Sequence, residues 1–189
     1  MPGMPPPVET ERDAIVAYLT QQRDGLKNAA YGLTGAQLRQ QPTSSPLSVG
    51  GLLKHAAATE LNWTLTMLEQ TPGGESAYAD TFTLTDDDTY DSLVAEMDRV
   101  AAETTAAIDG LPDLEVKVQL PKAPWLPENP DGFSARWIAF HIIEELARHA
   151  GHADIVREHI DGATMYELMA GVEGWPETDW LKPWRPPAP

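Results

Sequence analysis

The chain has 189 residues, of which 42% are hydrophobic, with 29 Asp and Glu against 13 Lys and Arg, a formal net charge of −16 and no cysteine. That length suits one domain with short tails, and the acidity argues against nucleic acid or an anionic membrane as partners, because phosphate binding rests on Lys and Arg. Without cysteine there is no disulfide, thiolate ligand or Cys nucleophile, so any metal site falls to His, Asp and Glu.

Residues 1–8, Met1-Pro-Gly-Met-Pro-Pro-Pro-Val8, read as a disordered proline-rich lead-in. They have neither the basic nor the apolar region of a signal peptide. No apolar run reaches bilayer length, so the expected location is cytoplasmic. A first helix is predicted over about 9–31, with Ile15, Leu19, Leu26 and Ala30 at helical spacing. Gly32 stops it, and Thr34 with Gln37 three residues on signals a short capped turn. Pro46 and Gly50-Gly51 read as a boundary. The second helix, about 48–70, carries His55 and Trp63 and ends at Thr71-Pro-Gly-Gly74. Residues 78–84 are short and mixed and read as extended.

Thr85-Asp-Asp-Asp88 reads as a helix start, since acidic side chains favour the positive end of the helix dipole. The third helix then runs to Asp109, burying Leu93, Met97, Val100 and Ile108, and Gly110 closes it. Residues 111–132 hold five prolines and Trp125 and read as a packed loop that covers a site. The fourth helix is predicted from Ser134 to Ile160–Gly162, followed by a short helix over 165–170. A tail at 173–189 carries Trp175, Trp180 and Trp184 among prolines. Loop and tail tryptophans are expected to shape the pocket. The fold class is all-α: a four-helix bundle over 9–172 with short extra helices and a Pro/Trp-rich loop and tail, an architecture whose core hosts metal sites.

The fourth helix concentrates the chemistry. His141, Glu145, His149 and His152 fall within twelve residues. At about 100° per residue they lie at roughly 0°, 40°, 80° and 20°, one quarter of the helix. Imidazoles and a carboxylate on one stripe suit a divalent metal. Glu145 and His149, at i and i+4, can share one ion, and His55 on an alanine-rich stretch of the second helix is the best-placed third ligand. His159 reads as an exposed C-terminal residue, favourable with the dipole. Spacing alone supports equally a polar seam in which His55 pairs with Glu144 or Glu145.

Several stretches carry a family resemblance: Glu11-Arg-Asp-Ala-Ile-Val-Ala-Tyr18, Gly51-Leu-Leu-Lys-His55-Ala-Ala, Glu60-Leu-Asn-Trp63, and His141-Ile-Ile-Glu-Glu-Leu-Ala-Arg-His-Ala-Gly-His-Ala-Asp154 through to Gly162. The chain resembles the DinB-like superfamily, in the actinobacterial branch related to mycothiol-dependent maleylpyruvate isomerase and to bacillithiol and mycothiol S-transferases. The resemblance implies a four-helix bundle whose metal is held by a helix-two His and a helix-four pair, His-x3-His in many members and Glu-x3-His in others. It maps these ligands onto His55, Glu145 and His149. The alternative frame ending at His152 places Arg148 four residues earlier, and a cation cannot ligate. His152 and His141 are then supporting residues, with His152 the alternative ligand.

Two imidazoles and a carboxylate suit zinc first, and also Ni, Mn or Fe(II). The resemblance further implies a metal-dependent enzyme that transfers a low-molecular-weight, mycothiol-like thiol to a small electrophile. A bound metal lowers the pKa of such a thiol. Arg157 is a candidate for an anionic substrate group, against a salt bridge to Asp154 or Asp161. Other readings are a metal-dependent hydrolase or isomerase, and a non-catalytic metal-binding or stress-response module. Family members are often dimers, so a homodimer is one assembly the resemblance implies.

Overall fold

The computed structural model describes residues 3–70, 80–120, 124 and 126–186. Four long helices form the bundle: α1 (Glu11–Ala30), α3 (Val49–Met67), α4 (Tyr90–Gly110) and α5 (Ala135–Asp161). Two shorter ones, α2 (Gly35–Leu38) and α6 (Met165–Glu173), flank them. Each long helix opens on a hydroxyl that satisfies an otherwise unpaired backbone N–H: Thr10 for Asp13, Ser48 for Gly51, Thr89 for Ser92 and Ser134 for Trp137. Gly162, at φ 80°, ends α5 in the left-handed conformation.

α1 lies mainly against α5, and α3 against α4 and α5. Ile15, Leu19 and Leu26 meet Leu52, Leu53, Met97, Val100, Ile138, Ile142 and Leu146 in one core. Two polar contacts cross it. Arg23 on α1 pairs with Glu60 on α3, both almost fully buried. Thr64 on α3 shares a 2.8 Å hydroxyl contact with Thr104 on α4. Contacts between α3 and α5 fix their direction: His55 meets His149, and Trp63 meets His141. Moving up one helix means moving down the other, so they run antiparallel.

Four local expectations are corrected. α4 begins at Tyr90, because Thr89 and Ser92 form the capping box. Asp88 instead turns back to the Thr85 N–H and hydroxyl and to Lys54 of α3. Residues Asp80–Phe82 form a 3-10 turn in place of the expected extended segment. Gly50 and Gly51 lie inside the first turn of α3, where a Cβ on Gly51 would sit 2.4 Å from the Phe82 carbonyl oxygen, so the 80–84 segment presses directly on the helix. The long loop is pinned by β1 (Lys117–Val118) and β2 (Phe133–Ser134), an antiparallel pair. Trp125 and Thr71–Gly74 lie outside the described residues.

Described residues near both termini contact the bundle. Gln21 of α1 donates to the Gly3 carbonyl. Trp184 packs edge-on against Tyr31 and covers the Arg157 guanidinium at 4.6 Å. It therefore closes the Arg157 end of the bundle, while Trp180 is exposed.

Candidate functional site

The α3–α5 seam places the sequence-selected residues as follows. His55, 1% exposed, faces His149 edge-on, ring centroids 4.7 Å apart. Glu145 Oε2 lies 3.5 Å from His149 Nε2, and Glu145 Oε1 lies 3.7 Å from His141 Nε2. The carboxylate thus sits between two imidazoles on its own helix. His152 Nδ1 lies 3.5 Å from His149 Nδ1, one turn further along.

Three side chains that the sequence pattern does not single out hold His55. Thr81 Oγ1 is 2.8 Å from its Nδ1, and the Phe82 ring stacks on it at 3.7 Å. Thr59 Oγ1 stands 3.3 Å from Nε2. Glu144, the alternative partner for a core histidine, is instead exposed and engages Arg148 and His141. Toward the other end, His141 lies edge-on to Trp63 at 4.5 Å and stacks with Trp137 at 5.4 Å, and Phe133 backs Trp137. The site is therefore flanked by an aromatic wall.

Protonation states suit a cation. Burial, reinforced by the nearby His149, pushes His55 down to about 4, so the ring is neutral at pH 7. The His149 hydrogen bond, followed by the charges of His141, His149 and His55, holds Glu145 below its ordinary value against the opposing effect of burial. A neutral imidazole and an ionised carboxylate are the states that ligation requires.

The donor set also fits a divalent ion in spacing at one pair. Adjacent donors around a tetrahedral ion with bonds near 2.0–2.1 Å stand about 3.3 Å apart, and Glu145 and His149 are close to that. Thr81 supplies the outer hydrogen bond that ligating histidines usually have. As they stand, no three His, Cys, Asp or Glu side chains among the described residues form a ready cage. The fit is one of donor chemistry and neighbourhood.

Arg157 does not serve this site. It is fully buried, bidentate to Asp161 at 2.9 Å, and donates to the Ala29 and Tyr31 carbonyls. Its guanidinium ties α5 to the end of α1, which removes it as a group for an anionic substrate.

Asp154, one turn past Ala150, is pushed up to about 6 by burial and the neighbouring Glu158. The folded state holds that proton more tightly than the unfolded chain does between pH 4 and 6. Stability from this residue is therefore greatest below pH 4 and falls as pH rises through 6. His55 acts oppositely, its contribution being lost as pH falls from 6.5 through 4. In the metal-free protein Asp154→Asn is expected to add about 1 kcal/mol at pH 7, after discounting for partial exposure, and almost nothing at pH 3.5. Urea unfolding at the two pH values measures this; an equal gain at both would contradict it.

Comparisons with known proteins give a family and a fold. Residues 14–162 match the family model described as Mycothiol-S-transferase. A crystal structure described as the conserved protein of locus from Enterococcus faecalis superposes with a TM-score of 0.61 at 15% identity, covering 82% of this chain and 100% of that one. At that identity the likeness concerns the fold. No curated protein matches the chain.

Proposed function

The chain belongs to the mycothiol S-transferase family, a DinB-like family, and from that premise we propose that it transfers a low-molecular-weight thiol to a small electrophile in a metal-dependent reaction. The observation that carries the reading is the convergence of neutral His55, ionised Glu145 and His149 across the α3–α5 seam. His55, Glu145 and His149 are the residues that would hold the ion, zinc first by donor type, with Ni, Mn and Fe(II) sharing those donors. A divalent ion there supplies Lewis acidity that makes a thiol nucleophilic at neutral pH. The chain has no cysteine, so the sulfur comes from the cosubstrate. In the reaction the thiol loses its proton, its sulfur bonds to the electrophilic carbon, and the leaving group departs with the bonding pair.

The chain's own residues orient these partners. Thr81 and Phe82 fix the plane of the His55 ring. His141 bridges Glu144 and Glu145 and sets the carboxylate against the helix. Trp63 and Trp137 form an apolar, π-rich wall around His141, which suits an apolar or aromatic electrophile better than an anion.

The test is direct. Protein grown in zinc-replete medium is expected to carry about one metal ion per chain and to couple mycothiol to monobromobimane. Metal without consumption of thiol points to a hydrolase or isomerase. Neither metal nor transfer leaves the non-catalytic module.

A further inference from the structure

We propose that the cavity between the first half of α3 and the start of α4 is a second ligand site, that it takes a small organic ammonium ion with an apolar body, and that its occupancy is felt at His55 through Thr81. The proposal goes beyond the S-transferase reading and does not depend on it.

The cavity owes its room to two alanines. Ala57 and Ala58 of α3 contribute only methyl groups, and with Leu61 and Leu93 they line a hollow of about 370 Å³, within the range of small-molecule pockets. Lys54 meets Asp88 just ahead of α4, and Thr64 meets Thr104 further along both helices. α3 and α4 therefore run in the same direction, and the hollow lies along them. Lys54, Asp87 and Asp88 stand at one end, Asn62 and Glu96 at the other, about 12 Å apart at the helical rise.

Thr81 connects the cavity to the candidate metal site. It is buried, it lines the cavity, and its hydroxyl stands 2.8 Å from His55 Nδ1. His55 itself does not line the cavity. A ligand seated there meets the residue that holds the ring, not the ring.

The charges select the ligand. Three carboxylates, of Asp87, Asp88 and Glu96, accompany one cation, Lys54. Lys54 is committed to Asp88 at 2.8 Å and to the Thr83 carbonyl at 3.0 Å. Glu96 shares the Arg99 guanidinium with Glu103, so that group keeps a net negative charge. Asp87 makes no ion pair among the described residues. Each end of the cavity thus carries negative charge that no cation balances, and an anion is repelled from both. A bare cation would leave the apolar floor in water, and a purely apolar molecule would leave the carboxylates unanswered. An ammonium on a ring or short chain meets both, with the Ser92 hydroxyl and the Asn62 amide as further polar partners.

The experiment titrates the full chain by calorimetry with phenethylammonium, phenethyl alcohol and phenylacetate, which share a body and differ in charge. Phenethylammonium is expected to bind about tenfold more tightly than the alcohol, with two carboxylates each contributing as an exposed ion pair does, and phenylacetate to give no binding heat. Asp87→Asn should weaken the ammonium about fivefold, and the residue is exposed, so the fold is not at risk. Ala58→Trp fills the hollow and should abolish binding. Nitrogen NMR of the imidazole rings reads the link: phenethylammonium should shift the His55 resonances in wild type, whereas Thr81→Val should still bind it and show no such shift. Equal affinity for ammonium and alcohol, unchanged affinity in Asp87→Asn, or undiminished binding in Ala58→Trp overturns the site. Binding that leaves the His55 resonances in place overturns the link through Thr81. None of these measurements involves turnover, so their failure is distinct from a failure of thiol transfer.

Discussion

Replacing His149 by alanine is expected to lower thiol transfer by about 10³-fold, the several kcal/mol that a Lewis-acidic ion contributes to such a step, while the far-ultraviolet circular dichroism stays unchanged. The side chain is 12% exposed and lies at the edge of the core, so truncation removes a donor without opening a large cavity. His149→Gln, which keeps most of the volume, should lose nearly as much. A graded companion series locates the effect. Thr81→Val removes the hydroxyl against His55 Nδ1 but no proposed ligand, and should cost about 10–100-fold, the usual range for an outer partner of a ligating histidine. Stoichiometric metal in the wild type and its loss in His149→Ala, measured on the same samples, ties the rate to the ion. Wild-type turnover in His149→Ala would remove the residue from the site.

Arg157→Met is expected to destabilise the bundle by about 2–4 kcal/mol, since it removes the donor from the Ala29 and Tyr31 carbonyls, and a buried carbonyl left unmet costs about 1–3 kcal/mol. That is a large part of the 5–15 kcal/mol that a domain of this kind has in total. The Asp161 carboxylate keeps the Ala163 N–H and solvent, but the change takes away the cation under Trp184. Arg157→Lys keeps the charge but loses the fork, and should cost roughly half as much. Gly171→Ala isolates the tail: a Cβ there would stand 2.2 Å from the Trp184 carbonyl oxygen, so the tryptophan is displaced at a cost of about 1–3 kcal/mol. Urea midpoints with unchanged slopes measure all three. An Arg157→Met protein within 1 kcal/mol of wild type would show that the contacts are incidental.

The bundle was readable from residue pattern because its helices are long and amphipathic and carry local caps. Ile15, Leu19 and Leu26, or Leu93, Met97 and Val100, are at most 4% exposed, as their period requires. The Glu145 and His149 pair was readable for the same reason: i and i+4 on a helix are neighbours whatever the tertiary fold. His55 could be chosen as partner only as a residue type, and its position opposite His149 is a matter of antiparallel register that no local signal encodes. Thr81 and Phe82 were not readable at all, because residues 80–84 have no period and acquire their meaning from the α3 face they cover. Asp88 misled for a related reason. Its charge promised a helix start, but Lys54, far away in sequence, gave it a better use, while the next residue, Thr89, took the cap. Arg157 could be paired with Asp161 by spacing, yet its carbonyl acceptors on α1 and the covering tryptophan come from both ends of the chain.

The tight approach at Gly51 has a consequence for proton placement. Because the helix has no side chain there, the Phe82 carbonyl can settle against it, and the 80–82 turn then delivers the Thr81 hydroxyl to one nitrogen of the His55 ring. When that nitrogen carries the hydrogen and Thr81 accepts it, the other presents its lone pair. A glycine one turn upstream thereby decides which side-chain hydroxyl faces the His55 ring. Any larger residue at position 51 would lift the turn and draw the Thr81 hydroxyl away from the ring.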